Sequence, residues 1–231
     1  MFDACIPFDA APWRLSGVVY GTLMNDSAAL AALGDAVHQA PYKAPPKAPV
    51  LYVKPRNTLA GTGAAVVVPV EAGEFEIGAS LGLVIGRTAC RLTEGDAIAH
   101  LAGCTLVADL SVPHDSFYRP SIRFKARDGS CLIGPRVTRC DALAPLDEVA
   151  LAVSLDGQVV HTARTAGMQR SVAQLLAAVT DFMTLRPGDI VMLGVAAGAP
   201  RGRVGQRFAI EAAGIGRLEG RLVTERSEAV A

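Results

Sequence analysis

The chain has 231 residues, 51% of them hydrophobic and 19% charged, which is ample for one packed domain with a sizeable core and leaves room for a small extra lobe. Lys plus Arg is 22 and Asp plus Glu is 22, so the formal net charge is zero. That excludes a general nucleic-acid binder, which needs a basic face, but still permits a local basic pocket for an acidic small molecule.

Taken in chain order, residues 16–23 read as a strand, with Val18, Val19 and Tyr20 supplying β-branched and aromatic bulk. Asn25, Asp26 and Ser27 offer helix caps for a helix over residues 28–37. Residues 40–49 (APYKAPPKAP) hold four prolines, which remove donors and fix φ, so an extended connector is expected there. It displays Lys43 and Lys47, as solvated residues or as a lid over a pocket. It also suggests a small N-terminal lobe with connector at 1–48, a main catalytic-type domain at 49–224 and a tail at 225–231.

Strands are expected at 50–53, 65–68, 75–85 and 104–110, with a short helix at 93–101 capped by Thr93. Residues 151–162 alternate around Asp156-Gly157, the strongest hairpin signal in the chain. Residues 171–183 (SVAQLLAAVTDFM) predict a capped amphipathic helix. A turn at 186–189 precedes a strand at 190–193, and closing strands follow at 207–210 and 216–223. Many strands, few helices and no βαβ rhythm predict a mixed α/β, mainly β fold with peripheral helices.

Cys5, Cys90, Cys104, Cys131 and Cys140 are odd in number and contain no C-x-x-C pair, so free, mostly buried thiols are expected rather than a disulfide framework or zinc knuckle. Residues 1–14 lack a basic stretch followed by an apolar run, and no apolar stretch reaches membrane-spanning length. A cytoplasmic protein that binds neither membrane nor nucleic acid is expected.

Several ordered pieces carry a family resemblance. They are Val53-Lys54-Pro55, Ser80 with Leu81, Gly82, Leu83, Val84, Ile85 and Gly86, then Ala102-Gly103-Cys104-Thr105 leading to Asp109-Leu110-Ser111. Lys125 to Asp128, Ile133-Gly134-Pro135, residues 185–189 with Gly194, and residues 214–218 complete the set. In this order they resemble the fumarylacetoacetate hydrolase family. Residues 17–23 (GVVYGTL), 40–58 and 113–120 (PHDSFYRP) are similar to one branch, the N-terminal half of the bifunctional isomerase/decarboxylase of 4-hydroxyphenylacetate (homoprotocatechuate) degradation. The resemblance implies a β-roll, di- or tricarboxylic keto–enol acids as substrates, and an Mg²⁺ or Mn²⁺ site.

The resemblance also implies metal ligands: a Glu-x-Glu on the strand ending Val84-Ile85-Gly86 and the aspartate at 109. Gly78 and Ser80 stand at the two glutamate positions, so Asp109 is the one ligand retained and metal binding is expected to be weak or absent. Glu74 and Glu76 form a Glu-x-Glu four residues too early, about 13 Å along a strand. A solvated acidic strand end is the plainer reading of that pair. Asp109, in an apolar run, is expected to ligate a weak ion, to pair with Lys125, or to satisfy backbone donors.

Lys125 is expected to hold a substrate carboxylate or to stabilise enolate charge. Tyr118, Arg119 and Arg123 in the same basic run are candidate substrate contacts, with Arg123 and Lys125 sharing a face if the run is extended. His114 is a candidate acid or base. The expected activity is decarboxylation of 5-oxopent-3-ene-1,2,5-tricarboxylate, isomerisation of 2-hydroxyhepta-2,4-diene-1,7-dioate, or both. Alternatives are a metal-site-degenerate supporting subunit of a paired family member and a C–C bond hydrolase of diketo acids. A homodimer, or assembly with a C-terminal-half sister chain, is the expected quaternary arrangement.

Overall fold

The computed structural model describes residues 15–114, 122–143 and 145–225. Among them are two sheets. The strands of the larger sheet are β1 (Val19–Leu23), β2 (Val50–Lys54), β3 (Leu59–Gly61), β5 (Glu74–Ile85), β6 (Leu101–Ser111), β7 (Cys131–Ile133), β10 (Ile190–Met192) and β11 (Arg201–Arg203). Their order is β2-β1-β10-β5-β6-β7-β3, with β11 pairing the start of β5. The smaller sheet holds β4 (Ala65–Val67), β8 (Ala150–Leu155), β9 (Gln158–Arg164), β12 (Arg207–Ala212) and β13 (Gly216–Val223), ordered β4-β13-β12-β8-β9. The fold is the mainly β, curled-sheet architecture expected.

The curl follows from one side chain. Lys54, at the end of β2, donates to the carbonyl of Leu110 on β6 at 2.9 Å. Four strand steps separate β2 from β6 in the sheet, about 19 Å if it were flat. A lysine cannot span that distance, so the sheet rolls and its concave face becomes an interior. Val19, Tyr52, Val84, Val107, Cys131, Ile133, Ile190 and Met192 fill it.

The convex face packs on the smaller sheet. Phe75, Ile77, Leu81, Leu83, Leu106, Leu110 and Leu132 meet Leu151, Val153, Phe208, Ile210, Leu218 and Leu222 in one core. With both faces covered, the middles of β5 and β6 read as continuous apolar runs rather than alternating ones. β1, which lies in the segment expected as an N-terminal lobe, is the strand between β2 and β10.

Helices lie at the periphery: α1 (Ser27–Ala32), α2 (Glu94–Ala97), α3 (Ile122–Lys125) and α4 (Val172–Thr180). Asp26 caps α1 by accepting from the Ala29 N–H at 2.8 Å. The helix expected over 28–37 stops early and continues as a 3-10 turn, Gly34–His38, because Gly34 adopts φ +50°. The hairpin turn falls at Asp156 and Gly157, at φ 48° and 86°, the backbone that a two-residue turn between twisted strands requires. No helix among the described residues is long and apolar enough to cross a membrane.

α4 buries Val172, Leu175, Leu176 and Val179 completely. Its start is a capping box: Ser171 Oγ accepts from the Gln174 N–H while Gln174 accepts from the Ser171 N–H. Ser171→Ala is expected to lower stability by about 1 kcal/mol and the melting temperature by roughly 2–4 °C. A thermal melt that does not move would show that the cap contributes nothing.

Candidate functional site

The largely apolar interior of the roll holds a cluster of charged side chains. Asp109 points inward from β6, 1% exposed. An isolated carboxylate there would be neutralised or would unfold the site, so it needs partners. Two lysines and a tyrosine supply them. Lys54 Nζ lies 2.8 Å from Oδ1, an ion-pair contact off the axis of a directed hydrogen bond. Lys125 Nζ donates to Oδ2 at 3.0 Å. The Tyr52 hydroxyl also donates to Oδ2.

Each partner comes from a different element. Tyr52 and Lys54 alternate on β2 with outward-facing Val53, so period-two geometry sends both into the roll. Gly21 on β1 leaves space for the Tyr52 ring: a Cβ at Gly21 would lie 2.0 Å from Tyr52 Cζ. Lys125 arrives from the helical turn α3, and its ammonium sits 4.8 Å from the centre of the Tyr52 ring.

The electrostatics follow from this placement. Burial alone would raise the Asp109 pKa, but the charges of Lys125 and then Lys54, with a hydrogen bond from Tyr52, hold it far below the usual carboxylate range. Burial and then the Asp109 charge push the Tyr52 phenol well up, so it stays a donor. Burial likewise pushes the neighbouring Cys131 thiol up to about 12. With Asp109 ionised and both lysines charged, the three groups sum to one positive charge.

The two lysines are not equivalent. Lys54 is 0% exposed and also donates to Leu110 O and to Ser130 Oγ, at 2.9 and 3.2 Å. Lys125 keeps 7% exposure, and among the described residues its ammonium donates to Asp109 alone. Ser111, two residues beyond Asp109 on the same strand face, has a buried hydroxyl with no hydrogen-bond partner among the described residues.

The metal set implied by the family resemblance does not fit here. Gly78 is the cross-strand partner of Asp109, as the resemblance places it. A Cβ at Gly78 would lie 2.8 Å from Val195 Cγ2 and 2.9 Å from the Asp109 carbonyl oxygen, so there is no space for a carboxylate side chain. Ser80 is fully buried and its hydroxyl accepts from the Gly194 N–H at 3.3 Å. Glu74, of the displaced pair, is held by Arg201 at 3.0 Å and Arg203 at 3.4 Å across β11. Asp109 has both oxygens occupied by cations or a hydroxyl.

Isothermal titration is therefore expected to detect no low-micromolar Mg²⁺ or Mn²⁺ binding. A tight site abolished by Asp109→Ala but not by Glu76→Ala would overturn this.

The sequence-predicted residues fall as follows. Asp109 and Lys125 come together. His114 is half-buried: its Nδ1 is 2.9 Å from the Val112 carbonyl and its ring stacks at 5.1 Å on Phe124, the residue before Lys125. Arg123 is a correction. Residues 122–125 form a helical turn, not an extended strand, so Arg123 is exposed while Lys125 is buried. Positions two apart on a helix face nearly opposite ways. Tyr118 and Arg119 lie outside the described residues.

Tyr52 and Lys54 were not singled out from sequence as site residues. The available signal was a lysine closing an apolar strand, two residues after a tyrosine. Lys43 and Lys47, on the proline connector, are exposed.

A family model described as fumarylacetoacetate (FAA) hydrolase C-terminal matches residues 18–223. The chain is 39% identical over 216 residues to the 4-hydroxyphenylacetate degradation bifunctional isomerase/decarboxylase of Escherichia coli, covering 92% of this chain and 48% of that protein. It thus spans about half the length of the curated relatives it matches in this branch. Among solved structures it is similar to 5-carboxymethyl-2-hydroxymuconate delta-isomerase from Mycobacterium smegmatis, with a TM-score of 0.76, 25% identity and coverage of 92% of this chain and 81% of that one. A fumarylpyruvate hydrolase from Pseudomonas aeruginosa, solved with Mn²⁺ and pyruvate, matches with a TM-score of 0.77 at 23% identity, covering 92% and 91% of the two chains.

Proposed function

Because the chain belongs to the fumarylacetoacetate hydrolase family, we propose that it binds a di- or tricarboxylic keto–enol acid at the Asp109–Lys125 centre. The reaction is decarboxylation of 5-oxopent-3-ene-1,2,5-tricarboxylate, isomerisation of 2-hydroxyhepta-2,4-diene-1,7-dioate, or both. The observation that carries this reading is the Lys125 ammonium: nearly buried, held by Asp109, and with no other acceptor among the described residues.

The chemistry suits such a group. When the substrate loses its 2-carboxylate as CO₂, the bonding pair moves through the conjugated C=C to the ketone oxygen. The product is a dienolate, and protonation on oxygen gives the 2-hydroxydiene. Isomerisation moves that proton to carbon through the same dienolate. A fixed ammonium in a water-poor roll stabilises the oxygen charge that both steps share. Lys54, saturated by its own contacts, holds Asp109 ionised and so keeps Lys125 in place. The Ser111 hydroxyl, without a partner among the described residues, supplies a second donor on the same face.

A supporting role beside a sister chain is the second reading. It is favoured by Gly78 and Ser80 at the metal positions and by the fully occupied Asp109 carboxylate. As an enzyme of aromatic-acid breakdown the chain would work in the cytoplasm, as a homodimer or with a C-terminal-half-type partner.

The test is turnover of the tricarboxylate by the purified chain, followed by CO₂ release and by the absorbance of the conjugated product, in the presence of a chelator. Turnover lost in Lys125→Met supports the enzyme. Absence of turnover alone, with restoration on adding the sister chain and no effect of Lys125→Met, would establish the supporting role.

A further inference from the structure

The two carboxylates at the start of β5 are not alike. Phe75 and Ile77 are fully buried against the smaller sheet, so Glu74, Glu76 and Gly78 share the opposite, concave face of the strand. Glu74 is neutralised by Arg201 and Arg203. Glu76 is half-buried, and among the described residues it has no ion pair and no side-chain hydrogen bond. Arg201 is its register partner on β11, yet turns its guanidinium to Glu74.

Strand pairing sets Glu76 in the row next to the Asp109 centre. On β6, Asp109 lies opposite Gly78 and Ser111 lies opposite Glu76. Directly opposed side chains on one face stand about 5 Å apart at Cβ, so the Glu76 carboxylate and the buried Ser111 hydroxyl are neighbours. Along the strand, Glu76 is one two-residue repeat, about 7 Å, from the row that holds Asp109 and the Lys125 ammonium. After burial and Asp109, the Glu76 charge also helps to push the Tyr52 phenol up, as its place on the concave face requires.

We propose that Glu76 is the proton carrier of the isomerisation, an inference that rests on the keto–enol chemistry assigned to Lys125. The 2-hydroxydiene left by decarboxylation must lose its enol proton and gain a proton at C5, three bonds along the conjugated chain from C2. The Glu76 carboxylate accepts the proton as the O–H bond breaks. The electron pair passes through the diene, and the same proton forms the new C–H bond at C5. The carboxylate is restored at the end, so no co-reactant is consumed. The other groups of the centre are committed elsewhere. Asp109 is held between two ammonium groups, Tyr52 donates to Asp109, and Lys125 keeps the charge that stabilises the dienolate.

The test uses Glu76→Gln, which keeps the size of the side chain and should melt within about 2 °C of wild type. The purified full chain is given 5-oxopent-3-ene-1,2,5-tricarboxylate with CO₂ release followed. In a second assay it is given 2-hydroxyhepta-2,4-diene-1,7-dioate in D₂O, with the product read by NMR. In Glu76→Gln the ratio of isomerisation to CO₂ release is expected to fall roughly 10²- to 10⁴-fold. The stereospecific single deuterium that wild type places at C5 should be lost with it. Glu74→Gln, which removes only the ion pairs to β11, should keep both the ratio and the stereospecificity. An unchanged ratio and stereospecificity in Glu76→Gln, with CO₂ still released, would overturn the role of Glu76 and leave that of Lys125 standing. Loss of both reactions in equal measure would overturn it too, by making Glu76 a binding group. Stereospecific deuteration by wild type without CO₂ release, lost in Glu76→Gln, would uphold Glu76 and remove the decarboxylation alone. Neither reaction in wild type would overturn both assignments.

Discussion

Asp109→Asn is expected to destabilise the chain by about 3–5 kcal/mol, lowering its melting temperature by roughly 10–20 °C. The substitution is nearly isosteric, so packing is not the cause. Two ammonium groups, 0% and 7% exposed, lose the carboxylate that both contact. An unpaired buried charge costs far more than the intact pair contributes. Removing one of the stranded charges should therefore recover part of the loss. The double variant Asp109→Asn with Lys54→Met should be more stable than Asp109→Asn alone.

A pH dependence follows with a definite sign. The folded-state pKa of Asp109 lies below its unfolded value, so its contribution is fully present above about pH 4 and is lost as pH falls through the folded value. Wild type should lose stability in that acid range more steeply than Asp109→Asn. A melt of Asp109→Asn within about 2 °C of wild type, or a double variant less stable than the single one, would show that the cluster is not held as described.

Lys125→Ala should weaken binding of a di- or tricarboxylic keto acid by roughly 10- to 150-fold, the equivalent of one charge-assisted hydrogen bond of about 1.5–3 kcal/mol. Lys43→Ala should cost well under about 1 kcal/mol, because Lys43 is solvated on the proline connector and water screens it. Asp109 remains paired with Lys54 when Lys125 is removed, so the fold is expected to survive, and a thermal melt checks this. Lys125→Met separates lost charge from lost bulk. Equal affinities for Lys125→Ala and wild type, with wild type binding tightly, would remove Lys125 from substrate binding. Tight binding in neither protein, together with impaired assembly with a sister chain, would support the supporting role.

Much of the fold was legible from local signals. The Asp156-Gly157 turn, the Asp26 and Ser171 caps and the long apolar runs of β5 and β6 all fell where local rules place them. Their physics acts over a few residues, so a linear reading captures it. The short strands β3, β7 and β11 escaped notice. Each has three residues and is defined by its partner rather than by its own pattern. Arg123 and Lys125 would share a face only if their run were extended, and charge alternation by itself does not separate a strand from a single helical turn. The chain's return to β7 decides for the turn.

The site divides along the same line. Sequence by itself determined that Asp109 sits in an apolar strand and needs a partner, that Lys125 is a possible one, and that Gly78 and Ser80 stand where the family resemblance implies acidic ligands. Burial of a charge follows from its neighbours along the strand, and strand pairing carries one position onto the next. Only the tertiary structure decided which groups surround the carboxylate. Tyr52 and Lys54 are 57 and 55 residues away in the chain, since 109 − 52 = 57 and 109 − 54 = 55. They reach Asp109 because the sheet rolls, and curvature is a sum of small twists over many strands that no local pattern encodes. That rolling turns a metal position with one of three ligands left into a positively charged centre in which Asp109 serves two lysines.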